Sequence, residues 1–170
     1  MGYYKGTVMP IVIARIDDRL VHGQVVEGWL RVINANCIVV VNDSVAGDEM
    51  QRALYSISVP SDIRIECLTV DDAVKNFTRG VFDKFNALVL FSRPADVLKF
   101  IKGGVKLVSV NVGGLHFSPG KKQISKGFSV DDNDVAVLRE IANMGVELEA
   151  RVLPREEHVK VLDLIEKHYK

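Results

Sequence analysis

Long apolar runs are absent from this 170-residue chain. The longest, Cys37 to Val41, has the length of a strand, whereas a membrane span needs about 18 apolar residues or more. Any membrane connection is therefore expected to run through a partner. Cysteine is scarce: Cys37 and Cys67 fall in apolar stretches, and their wide spacing offers no metal-site pattern. They read as small buried hydrophobes in a reducing compartment. An excess of one charge is missing too, since 22 basic residues balance 22 acidic ones. A nucleic-acid binder would show a basic excess, and the KGGVK and GKKQISK patches are short, so nucleic acid is not expected as a partner. The N-terminal MGYYKGTVMP lacks the charged start and apolar core of a secretory signal, and Gly6 stands where a myristoylation pattern wants Ser or Thr. Asn42-Asp43-Ser44 and Asn76-Phe77-Thr78 thus carry no weight as glycosylation acceptors, and a cytoplasmic location is expected.

What is present is a regular alternation. Hydrophobic residues make up 48% of the chain at a mean hydropathy of +0.13, enough for a substantial core. At this length a single domain over residues 1–170 is expected. Strands are predicted at Ile11–Ala14, Cys37–Val41, Ile63–Leu68, Ala87–Phe91, Leu107–Val112 and Val146–Val152. Four of these are almost continuously apolar, the pattern of strands buried on both faces. Between them lie helical patterns at Gln24–Ile33, Gly47–Ile57, Val70–Asn76, Pro94–Lys102 and Asp132–Met144, and Arg155–His168 closes the chain. Asp131 suits a helix N-cap, Pro94 a first helical turn and Gly145 a left-handed helix end. The prediction is an α/β fold: an open, mostly parallel twisted sheet with helices on both faces. His116–Gly127 (HFSPGKKQISKG) reads as an excursion, with one short antiparallel strand around Lys122–Lys126.

In such sheets ligands bind beyond the carboxyl ends of the strands. Two segments fall there: Arg15–Gln24 and Asn111–Gly120. The first packs Arg15, Asp17, Asp18, Arg19 and His22 into eight residues, followed by Gly23 and Gln24. A histidine in a charged turn is ordinarily inert. Here it precedes a helix, whose unpaired N–H groups and dipole favour an anion. Gly23 permits close backbone approach. Arg19 and Arg15 carry forked donors that match phosphate oxygens, and Asp17 and Asp18 are placed to orient them or to accept an imidazole N–H. Imidazole is largely uncharged at neutral pH and keeps a lone pair for attack. The set reads as a nucleophile, His22, in an anion cradle. Two arginines suit a carrier that must also release its cargo, because each ~1.4 kcal/mol of extra grip shifts the equilibrium tenfold.

The second segment brushes against a P-loop, but five residues rather than four separate Gly114 from Gly120, and Lys122 replaces the hydroxyl residue. Nucleotide binding is rejected. Gly113 and Gly114 are expected in a tight turn beside the first loop, and His116 in a structural or partner-contact role. His158 and His168 read as solvated residues of the terminal helix.

RIDDRLVHGQV closely resembles the signature of the IIB domains of the mannose/fructose/sorbose family of the phosphoenolpyruvate-dependent sugar phosphotransferase system. VVVNDSVAGDEMQRAL, LVLFSRPADVLKFIKGGV, VNVGGLHFSPGKKQISKGFSV and LREIANMGVELEARVLP resemble further elements of it, with Leu115 where a methionine is frequent. The resemblance implies that His22 is phosphorylated, with family likeness favouring Nδ1, and that Arg19 binds the phosphoryl group. Arg15, Asp17 and Asp18 lie on the motif with less defined roles. It further implies a phosphorylated IIA donor, membrane IIC and IID partners, a sugar as final acceptor, and neither metal nor organic cofactor. Which sugar, and whether the chain forms a homodimer, stay open. A regulatory IIB-like module, its phosphorylation read by another protein, is the alternative to transport.

Overall fold

In a computed structural model, residues 10–169 are described; the N-terminal reading of residues 1–9 lies outside them. A seven-stranded sheet organises the chain: β1 (Ile11–Asp17), β2 (Cys37–Val41), β3 (Arg64–Leu68), β4 (Ala87–Phe91), β5 (Ser109–Gly114), β8 (Glu147–Ala150) and β9 (Val159–Lys160), in the order β3-β2-β4-β1-β5-β8-β9. All pairings are parallel except β8 with β9. β6 (Lys122–Ser125) and β7 (Phe128–Val130) form a separate antiparallel pair. The expected short strand is thus half of a hairpin.

The apolar runs behave as the two-sided reading requires. Along β2 and β4, Cys37, Val39, Val41, Ala87, Val89 and Phe91 face one core, while Ile38, Val40, Leu88 and Leu90 face the other. The first core is closed by α4 (Val70–Thr78), α5 (Pro94–Lys102), α6 (Asp132–Asn143) and α7 (Val161–His168). The second is closed by a π-helical segment (Gln24–Trp29), its continuation α1 (Leu30–Ile33) and α3 (Glu49–Ser58). Each of the buried Val, Ile, Leu and Phe side chains contributes roughly 1.5–3 kcal/mol, so slipping any central strand by one residue is strongly disfavoured.

Local signals set several boundaries. Asp131 caps α6 in a reciprocal pair with Asp134, Pro94 opens α5, and Gly145 follows α6 at φ 85°. Other boundaries moved. The helix expected at Gly47–Ile57 is α3, begun two residues later at its Asp48 cap, and an additional short helix, α2 (Asp43–Ala46), capped by Asn42, precedes it. The terminal helix starts at Val161, not Arg155, because Glu156 accepts the N–H groups of Val152 and Leu153 at 2.8 and 3.1 Å and holds a turn there. His158 therefore sits before the short strand β9, outside any helix. β1 runs three residues further than expected, to Asp17, which makes Arg15 and Asp17 strand residues. β5 likewise runs on to Gly114, so Gly113 and Gly114 are strand residues and not a tight turn.

After β1 the chain turns toward β2 on one side, and after β5 it continues toward β8 on the other. The diverging connections open a crevice between β1 and β5 at their carboxyl ends, the switch point where ligands are expected.

Candidate active site

The crevice is built around Asp17. Its side chain is fully buried at the end of β1, and one oxygen, Oδ2, accepts from Arg15 Nη2 at 2.9 Å and meets His22 Nε2 at 2.9 Å. The other, Oδ1, accepts the Arg19 backbone N–H at 3.2 Å and lies 3.5 Å from Arg19 Nε. Burial alone would push this carboxyl upward. The hydrogen bond with His22, the Arg15 and His22 charges and the Arg19 N–H outweigh it and hold Asp17 at about 2. An ionised carboxylate can only accept, so the proton at this contact belongs to His22 Nε2. Nδ1, the nitrogen left with the lone pair, has no hydrogen-bond partner among the described residues.

Local chain geometry presents the imidazole. The Leu20 N–H donates to the Asp17 carbonyl at 2.9 Å and closes a turn. Leu20 itself sits at φ 56°, a left-handed conformation that costs a non-glycine residue roughly 1–2 kcal/mol. Its side chain and that of Val21 are buried in the second core, which offsets that strain and pins the loop. The His22 carbonyl then accepts the Val25 and Val26 N–H groups, each at 3.0 Å, and starts the π-helical segment. The N–H groups of Gly23 and Gln24 find no acceptor among the described residues. Arg19 is folded across this opening by a 2.9 Å bond from Nη2 to Gln24 Oε1, with its side chain 42% exposed.

Asp18 fastens the neighbouring loop. Its backbone N–H donates to the Gly114 carbonyl at 2.9 Å, and its carboxylate takes the His116 N–H and ring Nδ1, both at 2.6 Å. His116 is thus part of a clasp between the β1 and β5 loops.

Comparison with known proteins identifies the family. A family described as PTS system sorbose subfamily IIB component matches residues 11–170. The sorbose-specific EIIB component of Klebsiella pneumoniae is 38% identical over 157 residues, covering 92% of this chain and 96% of that protein. This chain belongs to the sorbose-subfamily IIB components. The IIB component is accordingly part of a sugar phosphotransferase system, and its chemistry is phosphoryl transfer. The crystal structure of the IIBSor domain of the sorbose permease from Klebsiella pneumoniae superposes with a TM-score of 0.88 at 37% identity, covering 92% of this chain and 96% of that one. The mannose-specific EIIAB component of Escherichia coli (strain K12) is 36% identical over 159 residues, covering 94% of this chain and 49% of that protein.

In this IIB component the motif residues divide into layers. His22, Arg19, Gly23 and Gln24 line the opening, and Asp17 lies directly beneath. Arg15 lies deeper, its side chain fully buried. Burial lowers its pKa, opposed by Asp17, and its Nη atoms are engaged by Asp17, Asn111 and the carbonyls of Arg151 and Val152. It braces Asp17 from behind and does not line the opening. A Cβ at Gly113 would overlap the Arg15 guanidinium, so glycine is required there to leave that group room.

Sequence reasoning missed Asn111, Glu149 and Trp29. Arg15, Asn111 and Glu149 are register partners across β1, β5 and β8, and Trp29 covers the row with the Arg15 and Arg151 guanidinium carbons 5.1 and 5.0 Å from its ring centroid. The available signal was polar residues at same-face positions of strands that otherwise read as apolar.

Proposed function

We propose that His22 is the phosphorylated residue of this IIB component. It takes a phosphoryl group from a phosphohistidine of a IIA partner and passes it to a sugar carried by IIC and IID membrane subunits. The observation that carries this reading is the 2.9 Å contact between His22 Nε2 and the buried, ionised Asp17. It leaves Nδ1 as the attacking nitrogen and stabilises the imidazole from behind as the new N–P bond forms. In-line attack by Nδ1 on phosphorus breaks the bond to the donor imidazole, and the three phosphoryl oxygens turn toward Arg19 and the Gly23 and Gln24 N–H groups. Arg19 needs only to leave Gln24 to reach them. Onward transfer reverses the geometry: a sugar hydroxyl attacks phosphorus and gives up its proton to solvent, and His22 leaves as the neutral imidazole.

The cysteines are poor competitors. Cys37 is fully buried in β2, and Cys67 sits in β3. Burial, reinforced by Glu66 and outweighing a nearby arginine at each, pushes both thiols up to about 11, where little thiolate exists. The chain acts as a single phosphocarrier domain in the cytoplasm, held at the membrane only through its IIC and IID partners. No helix among the described residues is long and apolar enough to cross a membrane.

Phosphorylated IIA incubated with the wild-type chain should yield an adduct that is labile in acid and stable in alkali. His22→Ala should yield none. Equal labelling of the two proteins would refute the assignment.

A further inference from the structure

The row beneath the site is more polar than a sheet interior needs. Arg15, Asn111 and Glu149 are 0%, 2% and 8% exposed, and they lie side by side on three neighbouring strands. Arg15 Nε, Glu149 Oε2 and Arg151 Nε are buried without a hydrogen-bond partner among the described residues. Apolar residues of similar volume would serve stability at least as well as buried charges with unmet hydrogen bonds. What the row has that an apolar row lacks is direction. The Glu149 carboxylate can only accept, so Asn111 must turn its amide Nδ2 toward it, at 2.8 Å. The same Nδ2 donates to the Arg151 carbonyl at 3.1 Å, which reinforces that orientation. Asn111 Oδ1 then faces β1 and accepts from Arg15 Nη1. Arg15 Nη2 is left to hold the Asp17 oxygen that receives the His22 proton.

We propose that Asn111 and Glu149 are positioning residues for phosphoryl transfer, setting through Arg15 and Asp17 the tautomer of His22. An amide that flipped at position 111 would aim N–H groups at the guanidinium and push Arg15 off its partner. Asp17 would then be free to rotate, and the His22 proton would no longer be confined to Nε2. The nucleophilic lone pair on Nδ1 is therefore specified from β8, two strands away from the histidine. This rests on the assignment of His22 as phosphoryl acceptor, but its central measurement is made on the unphosphorylated protein.

The test uses the full chain with 15N-labelled histidine and reads the His22 ring nitrogens by two-bond 1H–15N correlation. Wild type should show neutral His22 protonated on Nε2; Nδ1–H as the wild-type tautomer would overturn the proposal with no variant needed. Glu149→Leu removes the acceptor that orients the Asn111 amide, and Asn111→Asp removes the amide donor itself. Each should introduce Nδ1–H character at His22 and slow acceptance from phosphorylated IIA by about tenfold, while the histidines outside the site keep their wild-type signals. If either variant folds and leaves the His22 nitrogen shifts unchanged, the row is only structural. Should His22→Ala still accept phosphate, the His22 assignment fails instead, and the tautomer measurement reports separately on the row.

Discussion

Replacing Asp17 by Asn removes the charge on which the site is built, and its effect on stability is calculable. The carboxyl is lowered from 3.8 to about 2 in the folded state, with its side chain fully buried. A depressed carboxyl stabilises above its unfolded value and loses that contribution as pH falls through the folded value. The full contribution is roughly 2.5 kcal/mol, of which about 1.6 kcal/mol is gone by pH 2.5. Asp17→Asn also leaves Arg15 buried without its counter-charge, which costs about 3–5 kcal/mol. Urea unfolding of both proteins from pH 7 down to pH 2.5 should show a large difference on a plateau above pH 5. That difference should shrink by about 1.6 kcal/mol at the acid end. Distant carboxylates titrate alike in both proteins and cancel. A difference that is constant from pH 5 to pH 2.5 would refute the claim that Asp17 is held ionised by His22 and Arg15. The same variant should accept phosphate at least ~100-fold more slowly, because an amide at position 17 can donate to the imidazole and favour the wrong tautomer.

Arg19→Ala should slow phosphoryl transfer by roughly 10- to 100-fold while changing stability by less than about 0.5 kcal/mol, since the side chain is half-exposed and its backbone bond to Asp17 survives. Unchanged transfer kinetics would remove it from the mechanism. Gly113→Ala should destabilise by about 3–5 kcal/mol, because the added Cβ takes the space of the Arg15 guanidinium and separates a buried charge pair; a wild-type melting curve would contradict this. Asn34→Ala should cost about 1 kcal/mol at the left-handed end of α1 (φ 53°) and leave phosphoryl transfer intact, which combined melting and transfer assays will check.

Much of the architecture was legible because burial on both faces leaves a one-dimensional trace. Cys37–Val41 and Ala87–Phe91 are strands with the predicted bounds, and Asp131, Pro94 and Gly145 mark helix boundaries through local backbone chemistry. The start of α3 two residues later than expected and the late start of α7 were not legible, since each depends on a side chain, Asp48 or Glu156, choosing backbone N–H groups over solvent. The motif from Arg15 to Gln24 was visible as a cluster, but its layering was not. Reading Arg15 as a phosphate ligand treated it as a turn residue, whereas β1 carries it into the sheet and Asn111 holds it there.

The sequence by itself determined the alternation of buried strands and amphipathic helices, and it placed one histidine between β1 and a helical segment with charges around it. Periodicity and composition act along the chain, so they are readable along the chain. Only the tertiary structure decided which charge meets which. Arg15, Asn111 and Glu149 span 135 residues of sequence, yet lateral pairing of β1, β5 and β8 makes them neighbours. That contact is created by strand order, and it holds Arg15 in place behind the Asp17 that His22 meets.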